Sequence, residues 1–390
     1  MTHGIGRRAA IARLTSLSVR DFRNVERLEL EPPAEGLVLV GENGQGKTNV
    51  LEAIYYLELL RSVRGARDVD VVRFGADGFH LGARVQSDRA AEVAVGFERA
   101  GRRKRVRIDG VIIDRLSDAL GALPAVMFSP GDVELVAGAP GARRRFLDIM
   151  LALTSRGYLH ALQRYRAALA HRNAALREAA RSPGGTARSD AQISVWEAPL
   201  AQNGAVIWRE RRDWVRSFAD RFGEICAAIG ESSLVSMEYL STIPADDDAS
   251  DDGAATMARL LEEKRPLDIR RGLTHTGPHR DDLGISLGTD ARDMRSFGSA
   301  GQQRTAAIAL RLLEAETFRE RRESAPLFLL DDPFAELDER RSARIIELLE
   351  RMGLGQTILA VPRESDVPRQ LTGLARYAIQ GGAIRSWSAA

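Results

Sequence analysis

The stretch Leu37-Val38-Leu39-Val40-Gly41-Glu42-Asn43-Gly44-Gln45-Gly46-Lys47-Thr48 decides how the rest of the chain is read. Four apolar residues in succession read as a strand buried on both faces. The next eight residues match G-x-x-x-x-G-K-[ST] with nothing missing, and residues 49–57 continue as an amphipathic helix. Strand, glycine loop and helix in this order form a phosphate cradle. The glycines let backbone N–H groups turn inward and approach an anion, and the helix N-terminus adds partial positive charge. In that cradle Lys47 reaches the β- and γ-phosphates and Thr48 offers its hydroxyl to Mg²⁺. Gly41, Glu42, Asn43, Gly44, Gln45, Gly46, Lys47, Thr48 and Asn49 are therefore the candidate residues for holding ATP with Mg²⁺.

Far downstream, Leu327-Phe328-Leu329-Leu330 is a second buried strand, and it ends in Asp331-Asp332. Carboxylates at the end of an apolar strand are costly unless they have a partner or a task. Beside a phosphate loop the pair fits a task, Asp331 as the Mg²⁺ ligand and Asp332 as the carboxylate that orients the water attacking the γ-phosphate, the alternative being a plain strand-end cap. Phe334-Ala335-Glu336-Leu337-Asp338 follows at the spacing of an ABC D-loop. Shortly before the strand, Ser299-Ala300-Gly301-Gln302-Gln303-Arg304 opens a helix whose apolar side carries Ala306, Ile308, Ala309, Leu312 and Leu313. Ser299 and Gln302 have capping-box spacing. The same arrangement, a helix N-terminus with a hydroxyl and a glycine, suits a γ-phosphate. Ser299, Gly301 and Gln302 thus become candidates for the signature element that an ABC ATPase presents to the nucleotide of its partner subunit.

Between these motifs the grammar changes twice. Residues 14–40 read as strands, and residues 79–85, 91–97 and 106–113 as an antiparallel meander. From Asp132 to about Ile229 the chain reads as arginine-rich helices, with residues 156–180 the longest, ended by a loop at 181–186. An acidic stretch, 245–255, reads as disordered. Residues 302–387 return to α/β alternation. The expected divisions are an N-terminal flexible extension (1–13), a first ATPase lobe (14–125), a mainly helical second lobe ending at the signature motif (126–300), and the signature helix with the return to the ATPase lobe (301–390). Bulk properties set further bounds. A net charge of +2 on 390 residues means that any nucleic-acid site is a local patch. Lys47 is one of only three lysines, with Lys104 and Lys264. A single cysteine, Cys226, excludes an intrachain disulfide or zinc hook and fits a reducing cytoplasm. No run approaches the length of a membrane helix.

The set resembles the RecF family of bacterial DNA replication and repair ATPases. Its landmarks begin with Asp21-Phe22-Arg23-Asn24 and residues 41–54, then Pro124-Ala125-Val126-Met127-Phe128-Ser129-Pro130 and Arg143-Arg144-Arg145-Phe146-Leu147-Asp148. Tyr165-Arg166 with Arg172-Asn173, Gly277-Pro278-His279-Arg280-Asp281-Asp282-Leu283, the signature segment and Leu330-Asp331-Asp332-Pro333 complete it, in order, from about residue 14 to 365. The resemblance implies an α/β ABC-type ATPase head, a mixed sheet with the phosphate loop plus an antiparallel sheet, and a short helical lobe in place of a long coiled coil. It implies an ATP-driven homodimer on gapped or junction DNA; DNA-stimulated ATP hydrolysis, slow because of the departures below, and no intrinsic nuclease activity are separate expectations. It also implies cooperation with RecR and RecO in loading RecA.

Two departures from the ABC pattern stand out. The segment Ser129-Pro130-Gly131-Asp132 lacks the glutamine that usually joins the lobes, and Pro362-Arg363 follows the last core strand where a switch histidine would stand. Arg143, Arg144, Arg164, Arg166 and Arg172 cluster with Tyr158 and Tyr165, either as a solvated face with internal ion pairs or as contacts to DNA phosphates. His275, His279, Asp281 and Asp282 could be taken for a metal site, but Pro278 breaks any shared helical face, and a structural role joining the lobe to the head is the expectation. A transporter subunit, a cohesin-like ATPase and a nuclease-coupled ATPase are the rivals. The first needs a membrane partner, the second long coiled arms and the third a hook.

Overall fold

The apolar run at 37–40 becomes the strand Gly36–Val40, buried at every position, and the loop after it feeds the helix Lys47–Leu59. This computed structural model describes residues 10–87, 89–181, 187–244, 253–335, 337–353 and 355–386. Residues 1–9 of the expected extension, 182–186 of the loop, 245–252 of the acidic stretch and Glu336 of the D-loop lie outside the described residues. The chain forms two compact units, residues 1–132 with 228–230 and 307–390, and residues 133–227 with 231–306.

The first unit holds two six-stranded sheets. One runs Ala383–Ser386, Ala375–Gln380, Gly36–Val40, Thr357–Val361, Leu327–Asp331, Ala125–Phe128. All its neighbours are parallel except the terminal hairpin. The three central strands are buried at every residue, which is why they read as unbroken apolar runs rather than alternating ones. The other sheet is antiparallel, in the order Val25–Leu30, Arg13–Phe22, Gly78–Gln86, Glu92–Glu98, Arg103–Ile108, Val111–Ile112. Here inward and outward residues alternate, so one face is solvated. The helix Lys47–Leu59 touches strands of both sheets. It therefore differs from the amphipathic expectation: every residue except Thr48 and Asn49 is buried, and its apolar residues surround it. The extension also ends earlier than expected, because Ala10–Ile11 pairs in parallel with Ser324–Ala325 and the long strand starts at Arg13.

The second unit is mainly helical, built on Pro140–Thr154, Arg156–Arg181, Gly253–Arg271 and most of Glu197–Ile229. A small sheet, Val235–Leu240, Asp282–Leu287 and Arg292–Asp293, joins them. The longest helix among the described residues has 33 residues, about 50 Å, with no long coiled coil. Its core combines Phe146 edge-on to Trp214 with buried ion pairs. Arg172, with no exposed surface, donates to Asp268 at 2.8 Å, to Thr274 and to Glu197 at 3.0 Å.

Candidate functional site

Two glycines of the phosphate loop have no room for a side chain. Gly46 caps the helix at φ 111°, and a Cβ there would lie 2.9 Å from Oδ1 of Asn24 and 3.2 Å from Cα of Gly382. At Gly41 a Cβ would lie 2.5 Å from the carbonyl oxygen of Ile379. The loop is thus held between the Asn24 corner and the hairpin joining Ala375–Gln380 to Ala383–Ser386. Asn24 donates to Gly44 O and accepts from Asn49, while the N–H groups of Gly381 and Gly382 donate to the side chain and carbonyl of Gln45. Neither support was assigned a role from sequence. Asn24 was visible only as a family landmark, and the Gly381-Gly382 turn carries no signal beyond that of any hairpin.

Lys47, 6% exposed, donates to the carbonyls of Gly41 and Glu42. Burial lowers its pKa, opposed by the charges of Asp331 and Asp332. The Thr48 hydroxyl donates to Asp331 at 2.9 Å, uniting two motifs 283 residues apart. Burial raises the pKa of Asp331, offset by that hydrogen bond and by Arg64. A hydroxyl and a desolvated carboxylate side by side are hard oxygen donors of the kind Mg²⁺ takes with phosphate oxygens, so the donor set fits that ion. Asp332, the next residue, has φ 47°, a left-handed conformation uncommon outside glycine. Together with Arg64, Pro130 and Pro362 these groups line a pocket of about 340 Å³ over the loop. A second cleft of about 720 Å³ continues past Asp332 along Phe334, Ala335, Leu337 and Arg363.

Sequence reasoning missed Arg64, whose loop between the helix and Asp68 matches no motif. The structure also answers the missing glutamine. Asp132 turns inward, accepting from Ser129 N at 2.7 Å and pairing with Arg311 at 2.7 Å, and Pro130 is what this segment offers the pocket.

In the second unit Ser299 and Gln302 form a reciprocal capping box at 3.0 and 3.3 Å, and Gln302 also donates to Glu231. Ser299 is exposed, Gly301 lies in the same first turn, and Phe297 two residues earlier is 64% exposed. The candidate DNA arginines separate. Arg143 and Arg172 are buried in ion pairs with Asp282 and with Asp268 and Glu197, and this removes both from any phosphate-facing set. Arg144 donates to the carbonyl of Asp281. Arg166 is exposed but paired with Asp148, and Arg164 is exposed. The histidine–aspartate segment is structural within its own unit, and its bonds tie that unit's segments together. His279 bridges Tyr165 and Thr274, and Asp281 accepts from Tyr239, Ser241 and Thr242. No group of three metal-ligating His, Cys, Asp or Glu residues occurs among the described residues.

A parallel-sheet core with a phosphate loop, an acidic strand end and a capped signature helix defines an ABC-type ATPase head of the SMC kind. The RecF/RecN/SMC N terminal domain family model matches residues 13–367. The DNA replication and repair protein RecF of Roseiflexus castenholzii is 36% identical over 391 residues, 95% of this chain and 98% of that protein. RecF of Frankia alni is 38% identical, covering 95% and 98%. A solved structure of the recombination mediator RecF with ATP, in the RecFOR pathway, superposes with a TM-score of 0.87 at 26% identity over 99% of this chain and all of that one. An Smc head from Pyrococcus furiosus, TM-score 0.55 at 16% identity, shares the fold. The chain belongs to the RecF family. No helix among the described residues is long and apolar enough to cross a membrane.

Proposed function

We propose that this chain is an ATP-driven, dimerising DNA-binding ATPase of replication and recombinational repair. It would act on gapped or junction DNA and promote RecA loading with RecR and RecO. The observation that carries the reading is the Thr48–Asp331 hydrogen bond, which brings the phosphate loop and the acidic strand end to one point. Lys47 already points its ammonium at loop carbonyls, and phosphate oxygens offer it charged acceptors in their place. Thr48 and Asp331 would hold Mg²⁺, which supplies charge neutralisation at the β- and γ-phosphates when bound. Asp332 orients the attacking water from its fixed left-handed position. Ser299, Gly301 and Gln302 of one copy close over the γ-phosphate held by another, and exposed Phe297 beside them suits burial in that interface.

Residues 14–125 and 301–390 then act as the ATPase lobe and 126–300 as the lobe carrying the signature. With Pro362-Arg363 in place of a switch histidine, turnover is slow, as suits a clamp, and the chain has no nuclease of its own. The curated relatives' role in DNA replication and repair, and the RecFOR pathway named for the solved structure, support the reading.

The experiment is the mass of the protein in solution with and without Mg-ATP and short duplex DNA, beside Lys47→Met and Ser299→Arg. The expected result is an ATP-dependent dimer that binds DNA, lost in both variants, with Ser299→Arg still binding ATP. A wild-type protein that stays monomeric with Mg-ATP defeats the composite site.

A further inference from the structure

The solvated face of the antiparallel sheet is not an ordinary mixed surface. Strand register places Arg27, Arg20, His80, Gly96 and Arg105 in one row across five strands. The next row is Glu29, Ser18, Gly82, Ala94, Arg107 and Ile112. Arg20, Arg27, Arg105 and Arg107 are all exposed, and none takes part in an ion pair among the described residues. Arg20 and Arg27 stand directly opposite one another, a pairing that costs sheet stability. Of the carboxylates on this face, Glu92 faces Arg84, Glu98 faces Arg103, and Glu29 accepts from Ser18. The middle of the face is a floor of small residues, Ser18, Gly82, Ala94 and Gly96. Two arginine banks flank it, Arg20 three strand spacings, or about 14 Å, from the strand of Arg105 and Arg107, and Arg27 one strand further out. Burial lowers the pKa of His80 between them, helped by the charges of Arg20 and Arg107, one from each bank, and opposed by Glu29.

We infer that this face binds the phosphate backbones of duplex DNA, the floor receiving the duplex and the two banks its two strands. The inference rests on the DNA-binding reading above and gives it a surface in the ATPase unit, apart from Arg164 and Arg166. The chemistry selects the ligand. An acidic protein partner would need a cluster of apolar anchors, and this face offers a single exposed one, Ile112 at its rim beside Arg107. Single strands are gripped by stacking on a series of aromatic side chains; Phe22, Phe79 and Phe97 of this sheet are buried on the opposite face, which leaves one exposed ring, His80, on the floor. What remains suits a regular double row of phosphates, read without sequence preference. The bank spacing accords with backbones bordering a groove about 12 Å wide.

The test is duplex affinity across a salt series, by anisotropy of a labelled blunt duplex with Mg-ATP, for the wild type and Arg105→Glu/Arg107→Glu. ATP affinity and a single-stranded probe serve as parallel readouts. Loss of two phosphate contacts should lower the slope of log K against log salt by about 1.8 and weaken duplex binding roughly tenfold or more, with ATP affinity unchanged. A second variant, Gly96→Glu, puts a side chain on the floor, where a Cβ meets nothing within 4 Å, and should also weaken duplex binding. Wild-type duplex binding that both variants retain overturns the site and leaves Arg164 and Arg166 as the DNA contacts. Loss of single-strand binding with duplex binding intact overturns the choice of ligand. A wild type that binds no duplex at all defeats the DNA reading itself.

Discussion

Arg172 and Arg164 lie eight positions apart on one helix and do opposite things. Arg172 is wholly enclosed with Asp268 and Glu197, whereas Arg164 is exposed. Breaking a buried ion pair by removing one partner leaves an uncompensated charge, so Arg172→Leu should destabilise the second unit by about 3–5 kcal/mol, and Arg164→Glu by less than about 0.5 kcal/mol. Urea unfolding followed by the fluorescence of Trp196, Trp208 and Trp214, all in that unit, measures both. Equal stability of the two variants would contradict the buried triad. His279 gives the same unit a pH signature. A carbonyl only accepts, so Nε2 donates to Thr274 O and Nδ1 accepts from the Tyr165 hydroxyl at 2.6 Å, which fixes the neutral ring. Burial lowers its pKa from 6.5 to about 4. A depressed folded-state value means that the unfolded chain takes up the proton first. The contribution, about 3 kcal/mol, is therefore complete above pH 6.5 and lost as pH falls toward 4. A melting profile of His279→Gln should be flatter than the wild type across that window, and parallel profiles would remove the histidine from the account. Sequence placed these side chains together as a family pattern, but their partners Asp268 and Thr274 are about a hundred residues distant from Arg172, and no local spacing reveals such pairs.

At the scale of elements, what was legible was what is contiguous. The phosphate loop, the acidic strand end and the capping box each lie within a few residues, and each forms the local structure that its residue types dictate. Residues 49–57 read as an amphipathic helix, but the helix is buried even at Glu52. In the structure Glu52 is enclosed by Arg23 and Ser62. The hairpin behind the loop was not legible, since its contact with Gln45 spans 336 positions. It nevertheless makes a sharp prediction. Gly381 and Gly382 are the two turn residues, at φ 55° and 84°, as a type I′ turn requires. A Cβ at Gly381 meets nothing, but one at Gly382 would lie 2.7 Å from Asn24 O. Gly382→Val should therefore push on the Asn24 corner and the loop and weaken ATP binding roughly tenfold, if about 1.4 kcal/mol of the strain reaches the site. Gly381→Asn, which tolerates the left-handed region, should bind ATP almost as the wild type does. Calorimetric ATP titration of the two separates a supporting hairpin from a passive one, and equal affinities would show the hairpin to be passive.

For the whole molecule, the motif order already carried the architecture: a phosphate loop near the start and a signature and acidic strand near the end require the intervening chain to leave the ATPase core and return. The two sheets and the helical unit fulfil that requirement, and the structure adds where Asp332, the proposed catalytic aspartate, is constrained. Asp332 sits at φ 47°, directly after the buried strand Leu327–Asp331, with its N–H bonded to Ala360 O at 2.9 Å. Backbone strain kept at such a place is consistent with a side chain held for chemistry rather than for packing. Asparagine adopts the left-handed region as readily as aspartate does and keeps the side-chain shape, so Asp332→Asn removes the charge without moving the backbone. If Asp332 prepares the attacking water, the variant should bind Mg-ATP normally and hydrolyse it at least about 100-fold more slowly. In the proposed composite site closure would depend on the γ-phosphate, which hydrolysis removes, so slow hydrolysis should in turn prolong the dimer. Mass measured at intervals after rapid removal of free ATP should show the variant dimer outlasting the wild type. A variant that hydrolyses at the wild-type rate takes Asp332 out of the reaction. One that hydrolyses slowly but separates as fast as the wild type uncouples dimer lifetime from chemistry and makes nucleotide release the step that opens the clamp.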